Sequence, residues 1–308
     1  MSLFLHIVRN EQADDPFWIA AARATEAMGF RTAVMAPHRE WPLVGEEVAG
    51  VIIWNAAKAV YAFLAQRFRA AGVPLLVAER GFFDRTNYTQ LDPAGFNATA
   101  SWANELTLPF PQAGVARFQE AWGHQPVRMK PREGYVLALL QTLGDSQLAG
   151  ASVESPDDLM QALVTAVPKG THILARPHPS YEALTGHPWV PRADWGVEVS
   201  VGRDLMTDAA GAKFAVTINS NSANECLALG VPVIVMGPHL ATSGCVALEA
   251  NPRSLPALCR AYLGGLQSKA RDVKNYLWHL ATRQYSQVDM ADGKTLASLL
   301  EAAGVRLP

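Results

Sequence analysis

The sequence predicts an α/β protein of two Rossmann-like domains, each built around a parallel sheet. Three observations carry this. Short apolar runs of strand length alternate with stretches of helical period along the chain, the pattern that doubly wound sheets produce. Those runs are almost wholly hydrophobic, as strands covered on both faces require. The alternation breaks once and then starts again, and 308 residues suit two domains of ~150 each.

The elements follow in order. Residues 3–8 read as a strand, 16–28 as a helix stopped at Gly29, and 31–35 and 48–54 as strands. A helix over 57–71 places Val60, Phe63, Leu64 and Phe68 on one face. Residues 73–78 form a short apolar strand. From Arg80 to Trp102 the pattern dissolves into Gly, Pro, Asn, Asp and aromatics, a long loop whose aromatics favour order and hence function. A helical segment around 115–122 precedes a linker at 130–134. The second series reads as strand 135–140, helix 156–167, strands 172–175 and 197–199, helix 204–210 and strand 214–218. A helix beginning at Ser222 and a strand at 233–236 complete the sheet. The tail is helical, with Val273, Leu277 and Leu280 on one face and Leu296, Leu299 and Leu300 on another. Domains are expected at 1–130 and 131–265, with helices over 266–308 returning toward the first. Two α/β halves with such a tail resemble the GT-B architecture: two Rossmann-like domains facing a cleft.

The formal charge of −2 lacks the basic excess of proteins that grip nucleic acid through many phosphates. Cys226, Cys245 and Cys259 form no CxxC pair, so neither a disulfide framework nor a thiolate zinc site is expected. The first residues carry no signal-peptide pattern and no stretch reaches ~18 apolar residues, so a cytoplasmic location without a transmembrane segment is expected. The histidines share no metal-ligand spacing, so no metal is expected. Neither a Walker loop nor GxGxxG is present, against a P-loop kinase or a simple dehydrogenase.

Four segments place polar groups just after an apolar strand, where open α/β sheets bind ligands. Thr217 to Gly237 is the most informative. Its turn offers Ser220, Ser222 and backbone N–H groups to an anion, and Glu225 suits a sugar or ribose hydroxyl; an ordinary capped helix would read the same way. Glu79-Arg80-Gly81-Phe82-Phe83 sets a carboxylate at a strand end, suited to proton transfer, or to an ion pair with Arg80 or Arg85. Gln141 ends a strand, and Gly144 permits a turn that exposes Asp145 and Ser146, or one closed by the Asp side chain itself. Arg176-Pro177-His178-Pro179 fixes an imidazole between prolines beside a guanidinium, a pairing suited to phosphate.

Together and in this order, these segments resemble the capsule polysaccharide biosynthesis and export family, GT-B-like glycosyltransferases that include β-Kdo transferases. The resemblance spans residues 50–240. It rests on Glu79-Arg80-Gly81, then Asp92-Pro93-Ala94-Gly95-Phe96-Asn97-Ala98, then Gln141 and Asp145. It continues through Arg176-Pro177-His178-Pro179, where Lys is usual at the first position, to Asn219, Ser220 and Glu225 before Gly230, Pro232 and Val233. Trp54-Asn55 and Trp102 are similar to features of phage-encoded relatives.

The resemblance implies a metal-independent glycosyltransferase with no cofactor beyond a CMP- or UDP-linked sugar donor. Glu79, Asp145 and His178 are the catalytic candidates, and Glu79 would deprotonate the acceptor hydroxyl or stabilise cationic character at the anomeric carbon. Gln141, Ser146, Arg176, Ser220, Ser222 and Glu225 are the donor-binding candidates. Arg80, Phe82, Asp92, Asn97 and Trp102 lie on the acceptor side, with loop aromatics stacking on a sugar or base. The resemblance implies a surface glycan as the acceptor. The alternative is a hydroxymethylpyrimidine base of phage DNA, with Arg128, Lys130 and Arg132 as a basic strip and Trp54 or Trp102 stacking on an extruded base. A nucleotide-sugar 2-epimerase and a non-catalytic sugar-nucleotide binding module remain further alternatives.

Overall fold

The computed structural model describes residues 2–9, 12–38, 48–57, 59–124, 134–144 and 148–308. Asp145, Ser146, Arg128, Lys130, Arg132 and most of the expected linker lie outside them. Contacts divide the chain into two compact units: Met1–Ala103 with Gln112–Gly123 and Leu280–Pro308, and Asn104–Pro111 with His124–His279.

The first unit contains β1 (Leu3–Ile7), α1 (Pro16–Ala27), β2 (Arg31–Met35), β3 (Val48–Trp54), α2 (Ala59–Ala70), β4 (Leu75–Arg80), β5 (Tyr88–Asp92) and α3 (Gly114–Trp122). Its sheet runs β12-β5-β4-β3-β1-β2, where β12 is Tyr285–Ser286 from near the end of the chain. The four strands β4, β3, β1 and β2 are parallel, and β5 and β12 add on antiparallel. The helix α1 starts where Asp15 accepts the Phe17 N–H at 2.9 Å, with Pro16 at its first position. Phe17, Trp18, Ala21 and Ala24 of that helix pack with Phe4, Ile52 and Leu76 of the sheet. Two short helices, α11 (Gln287–Ala291) and α12 (Lys294–Ala302), add Met290, Leu296 and Leu300 to the same cluster. On the other face Leu64 and Phe68 of α2 meet Leu5, Val51 and Val77.

Two expectations are corrected in this unit. Phe63 is 43% exposed, so the buried stripe of α2 is narrower than its hydrophobic pattern. The stretch from Arg80 to Trp102 is not all loop: it holds β5, whose five residues are buried. Gly81 makes that pairing possible, since a Cβ there would lie 2.7 Å from the Tyr88 Cβ and 2.9 Å from the Tyr88 carbonyl oxygen.

The second unit contains β6 (Tyr135–Leu139), α4 (Pro156–Ala166), β7 (Ile173–Arg176), α5 (Tyr181–Thr185), β8 (Glu198–Val199), α6 (Leu205–Ala210), β9 (Ala212–Thr217), α7 (Ser222–Ala228), β10 (Val233–Val235), α8 (Leu240–Ser243), β11 (Leu248–Glu249) and α9 (Leu255–Leu263). The helix α10 (Ala270–Ala281) contains the boundary between the second unit's residues, up to His279, and the first unit's, from Leu280. The sheet, β11-β10-β9-β6-β7-β8, is parallel throughout. Leu159, Met160 and Leu163 of α4 cover Val136, Phe214 and Ile234. Ser155 caps α4 by accepting the Asp158 N–H at 3.0 Å, and Asp157 and Asp158 complement the helix dipole in its first turn.

Candidate functional site

In the second unit, the adjacent parallel strands β10, β9, β6 and β7 all release their chain at one edge of the sheet. The segments that follow carry His239, Asn219–Glu225, Gln141 and Arg176–His178. Three of these groups stand in separate motifs along the sequence, and parallel pairing brings them to a common edge.

Gln141 and Asn219 are buried and clasp each other. The Gln141 amide donates to Asn219 Oδ1 at 3.0 Å, and the Asn219 N–H donates to Gln141 Oε1 at 2.8 Å. Beneath them, the Thr217 hydroxyl donates to the Leu139 carbonyl at 3.0 Å. Gln141 therefore fixes the turn that follows β9. Ser220, Ser222 and Glu225 remain half-buried on that turn and the first turn of α7, while Asn221 and Asn224 turn inward. The Ser222 N–H donates to Ser220 Oγ at 3.2 Å, so the Ser220 hydroxyl accepts from the chain and can pass its own proton to an anion. The Asn224 amide is structural: it donates to Asn221 Oδ1 at 3.0 Å and accepts from the Tyr276 hydroxyl at 2.6 Å.

His239 was not singled out from the sequence as a site residue. It is 2% exposed, its Nδ1 accepts the Ala241 N–H at 3.0 Å, and its ring also bonds the Ser220 backbone. Burial lowers its pKa to about 4, against a smaller upward pull from the Ser220 bond. The neutral ring thus ties the loop after β10 to the serine turn after β9. The signal for it was a histidine directly after an apolar strand, in Gly237-Pro238-His239.

Beyond β7, His178 is half-buried and its Nδ1 accepts the Ser180 N–H at 3.1 Å. In the neutral ring this leaves the proton on Nε2, as a donor. Arg176 is otherwise engaged. Its Nη1 donates to Asp208 Oδ2 at 2.6 Å and to the Arg203 carbonyl at 2.7 Å, and Ser200 Oγ donates to the same Asp208 oxygen at 2.7 Å. The Asp208 side chain is fully buried, so Arg176 neutralises an interior carboxylate that the sequence did not reveal.

In the first unit, Glu79 on β4 is 6% exposed. The register sets Trp54 beside Ala78 and Gln90 beside Glu79, which puts Asn55, just after β3, next to the carboxylate. The Asn55 amide donates to Glu79 Oε2, and the Arg80 N–H donates to Glu79 Oε1 at 2.9 Å. Arg80 is exposed and its guanidinium bonds the Arg85 carbonyl at 3.0 Å, so among the described residues no cation pairs with Glu79.

Asp92 organises its own loop: Oδ1 accepts the N–H groups of Ala94, Gly95 and Ser101 at 2.8–3.1 Å, and Oδ2 the Ser101 hydroxyl at 2.6 Å. Asn97 is half-buried in the same loop in a left-handed conformation, φ 51°. The expected aromatic platform is corrected for Phe82, Trp102 and Trp54. Phe82 is fully buried, edge-on to Trp102 at 6.0 Å, and Arg283 covers the Trp102 ring at 5.5 Å. Trp54, 6% exposed, lies under Arg9 at 5.2 Å and against Trp18. These rings have no open face for a sugar or an extruded base. Phe82 is held by Gln284, whose buried Oε1 accepts the N–H groups of Phe82 at 2.7 Å and Phe83 at 2.9 Å. No group of three or more His, Cys, Asp or Glu side chains among the described residues is placed to hold a metal ion, and no described helix is long and apolar enough to cross a membrane.

Two sheets of this kind, one wholly parallel and one with an antiparallel edge, make a GT-B fold. The chain is similar to two solved structures of Thermosulfurimonas dismutans KpsC. The beta Kdo 2,4 transferase superposes with a TM-score of 0.62 at 17% identity, over 97% of this chain and 98% of that one. The beta Kdo 2,7 transferase gives 0.59 at 15%, over 99% of each. A Methanocaldococcus jannaschii UDP-GlcNAc 2-epimerase gives only 0.40 at 9%, over 92% of this chain and 99% of that one. No family model and no curated protein sequence matches the chain.

Proposed function

We propose that the chain is a metal-independent glycosyltransferase that moves a sugar from a nucleotide-sugar donor to a hydroxyl of a saccharide acceptor in the cytoplasm. The observation that carries this reading is the single sheet edge in the second unit that gathers Gln141, Asn219, Ser220, Ser222, Glu225, His178 and His239. Such an edge is where parallel sheets hold nucleotides. The hydroxyls of Ser220 and Ser222 and the Nε2–H of His178 are donors suited to the phosphate, whose negative charge grows as the sugar leaves. Glu225 is a half-buried carboxylate suited to a ribose or sugar hydroxyl. Arg176, tied to Asp208, serves to set the backbone before His178.

Glu79 supplies the base. It is a buried carboxylate that accepts two hydrogen bonds and pairs with no cation among the described residues, so each oxygen keeps a lone pair for a proton. As the acceptor oxygen attacks the anomeric carbon and the bond to phosphate breaks, the acceptor's proton passes to Glu79. Kdo carried on CMP is the first donor to test, because both KpsC structures are beta Kdo transferases.

The experiment is a melting-temperature screen with CMP-Kdo and UDP-sugars, followed by nucleotide release with and without saccharide acceptors. A ligand at 100 times its Kd raises stability by ~2.7 kcal/mol. The S220A/S222A double variant should lose that gain while keeping its own melting point. No stabilisation by any CMP- or UDP-sugar, or full stabilisation of the double variant, overturns the reading. Competition by hydroxymethylpyrimidine DNA, or conversion of the donor without an acceptor, would point instead to a DNA transferase or an epimerase.

A further inference from the structure

We infer that Asn55 is a positioning residue that sets Glu79 for proton removal; the inference rests on the transferase reading above. Four observations support it. Parallel pairing of β3 with β4 places Asn55 directly beside Glu79, each one residue beyond the matched pair Trp54 and Ala78. The Asn55 amide donates to Glu79 Oε2 while the Arg80 N–H holds Oε1, so each carboxylate oxygen has one fixed donor and keeps a lone pair for a substrate proton. Asn55 takes a left-handed backbone, φ 58°, and the turn continues through Ala56 at φ 27°. Few residues other than Gly, Asn and Asp tolerate that conformation, and of these only Asn has an amide to donate.

The fourth observation concerns the other end of the Asn55 amide. Asn55 is 9% exposed, yet its Oδ1 is buried with no hydrogen-bond partner. The side chain is therefore held in this structure through its amide alone, and a glycine would satisfy the same backbone without it. The strain and the orphaned oxygen are the cost of keeping one amide on one carboxylate.

The test is a cycle of N55G, E79Q and the double variant, read as nucleotide release from whichever CMP- or UDP-sugar stabilises the unaltered chain, with donor KM and melting temperature measured for each. Glycine keeps the left-handed backbone while removing the amide. N55G should lower kcat by about 10–100-fold, the factor a hydrogen bond to a charged group carries, with donor KM within about twofold. E79Q should lower kcat by about 10²–10⁴-fold. The double variant should be no slower than E79Q, because Asn55 acts through Glu79 alone. N55D, which keeps the shape without the donor, should be at least as slow as N55G and guards against loss of folding in the glycine variant. Equal losses from N55G in both backgrounds, a change confined to KM, or wild-type turnover by N55G overturns the inference and leaves Glu79 as base. Wild-type turnover by E79Q, or no nucleotide release by the unaltered chain from any CMP- or UDP-sugar, removes the reading on which the inference stands.

Discussion

Replacing Gln141 by Met tests whether the serine turn is held from β6. The side chains are of similar length, so the change removes hydrogen bonds while leaving little cavity. Two buried groups of Asn219 lose their partners: Oδ1, now 3.0 Å from the Gln141 amide, and the backbone N–H, now 2.8 Å from Oε1. Gln141 is 2% and Asn219 3% exposed, so water cannot take over without local opening. An orphaned buried group costs about 1–3 kcal/mol, so the pair should cost about 2–4 kcal/mol after partial relaxation. In a unit of ~150 residues each kcal/mol is worth about 2–4 °C, so the second unit should melt roughly 5–15 °C lower. Differential scanning calorimetry reads this directly and shows whether the first unit's transition stays in place. Below its new midpoint, Q141M should also lose most of the stabilisation that a nucleotide-sugar gives the wild type, because Ser220 is one residue from the broken clasp. A midpoint within 1 °C of wild type would refute the reasoning.

Three further outcomes are expected. Burial holds His6 at a pKa of about 3 and His239 at about 4, both below the usual 6.5; the unfolded chain therefore binds the protons first, and stability, complete above pH 6.5, should fall as pH drops toward 4. Urea unfolding should show up to ~1.4 kcal/mol lost per pH unit for each histidine, and His239→Asn, which keeps an acceptor for the Ala241 N–H, should roughly halve the slope. Gly81→Ala puts a methyl 2.7 Å from the Tyr88 Cβ and should cost about 1–3 kcal/mol by urea unfolding. Arg176→Met leaves the fully buried Asp208 without its cation and should cost about 3–5 kcal/mol, while the Arg176→Met/Asp208→Leu pair should recover most of it.

The sheets were legible because strands buried on both faces announce themselves as unbroken apolar runs, and β2 and β3 have the expected ends. What stayed hidden was short or antiparallel. Tyr88-Thr89-Gln90-Leu91-Asp92 keeps neither an apolar run nor a period of two and carries two polar residues in its interior, so β5 reads as loop until β4 and β12 flank it. The site was legible as motifs at strand ends and not as partnerships. That Gln141 meets Asn219, that Arg176 turns to Asp208, and that Asn55 reaches Glu79 depend on sheet order and register, which no local spacing encodes. His239 and Gln284 were missed for the same reason: each bonds backbone groups distant in sequence, the latter some 200 residues away. The aromatics of the 82–102 stretch misled because a ring rich enough to stack on a sugar is also rich enough to fill a core.

The strand β12 and the cluster residues Met290, Leu296, Leu300 and Val305 lie between residues 285 and 305, yet β12 completes a sheet that begins at Leu3 and the others pack against it. During synthesis the second unit's sheet is whole once β11 has left the ribosome, whereas the first waits, with one edge of β5 unpaired and α1 uncovered, until residues 285–305 have followed. The later sheet is therefore ready before the earlier one, and a chain cut just before Tyr285 would damage the amino-terminal sheet first.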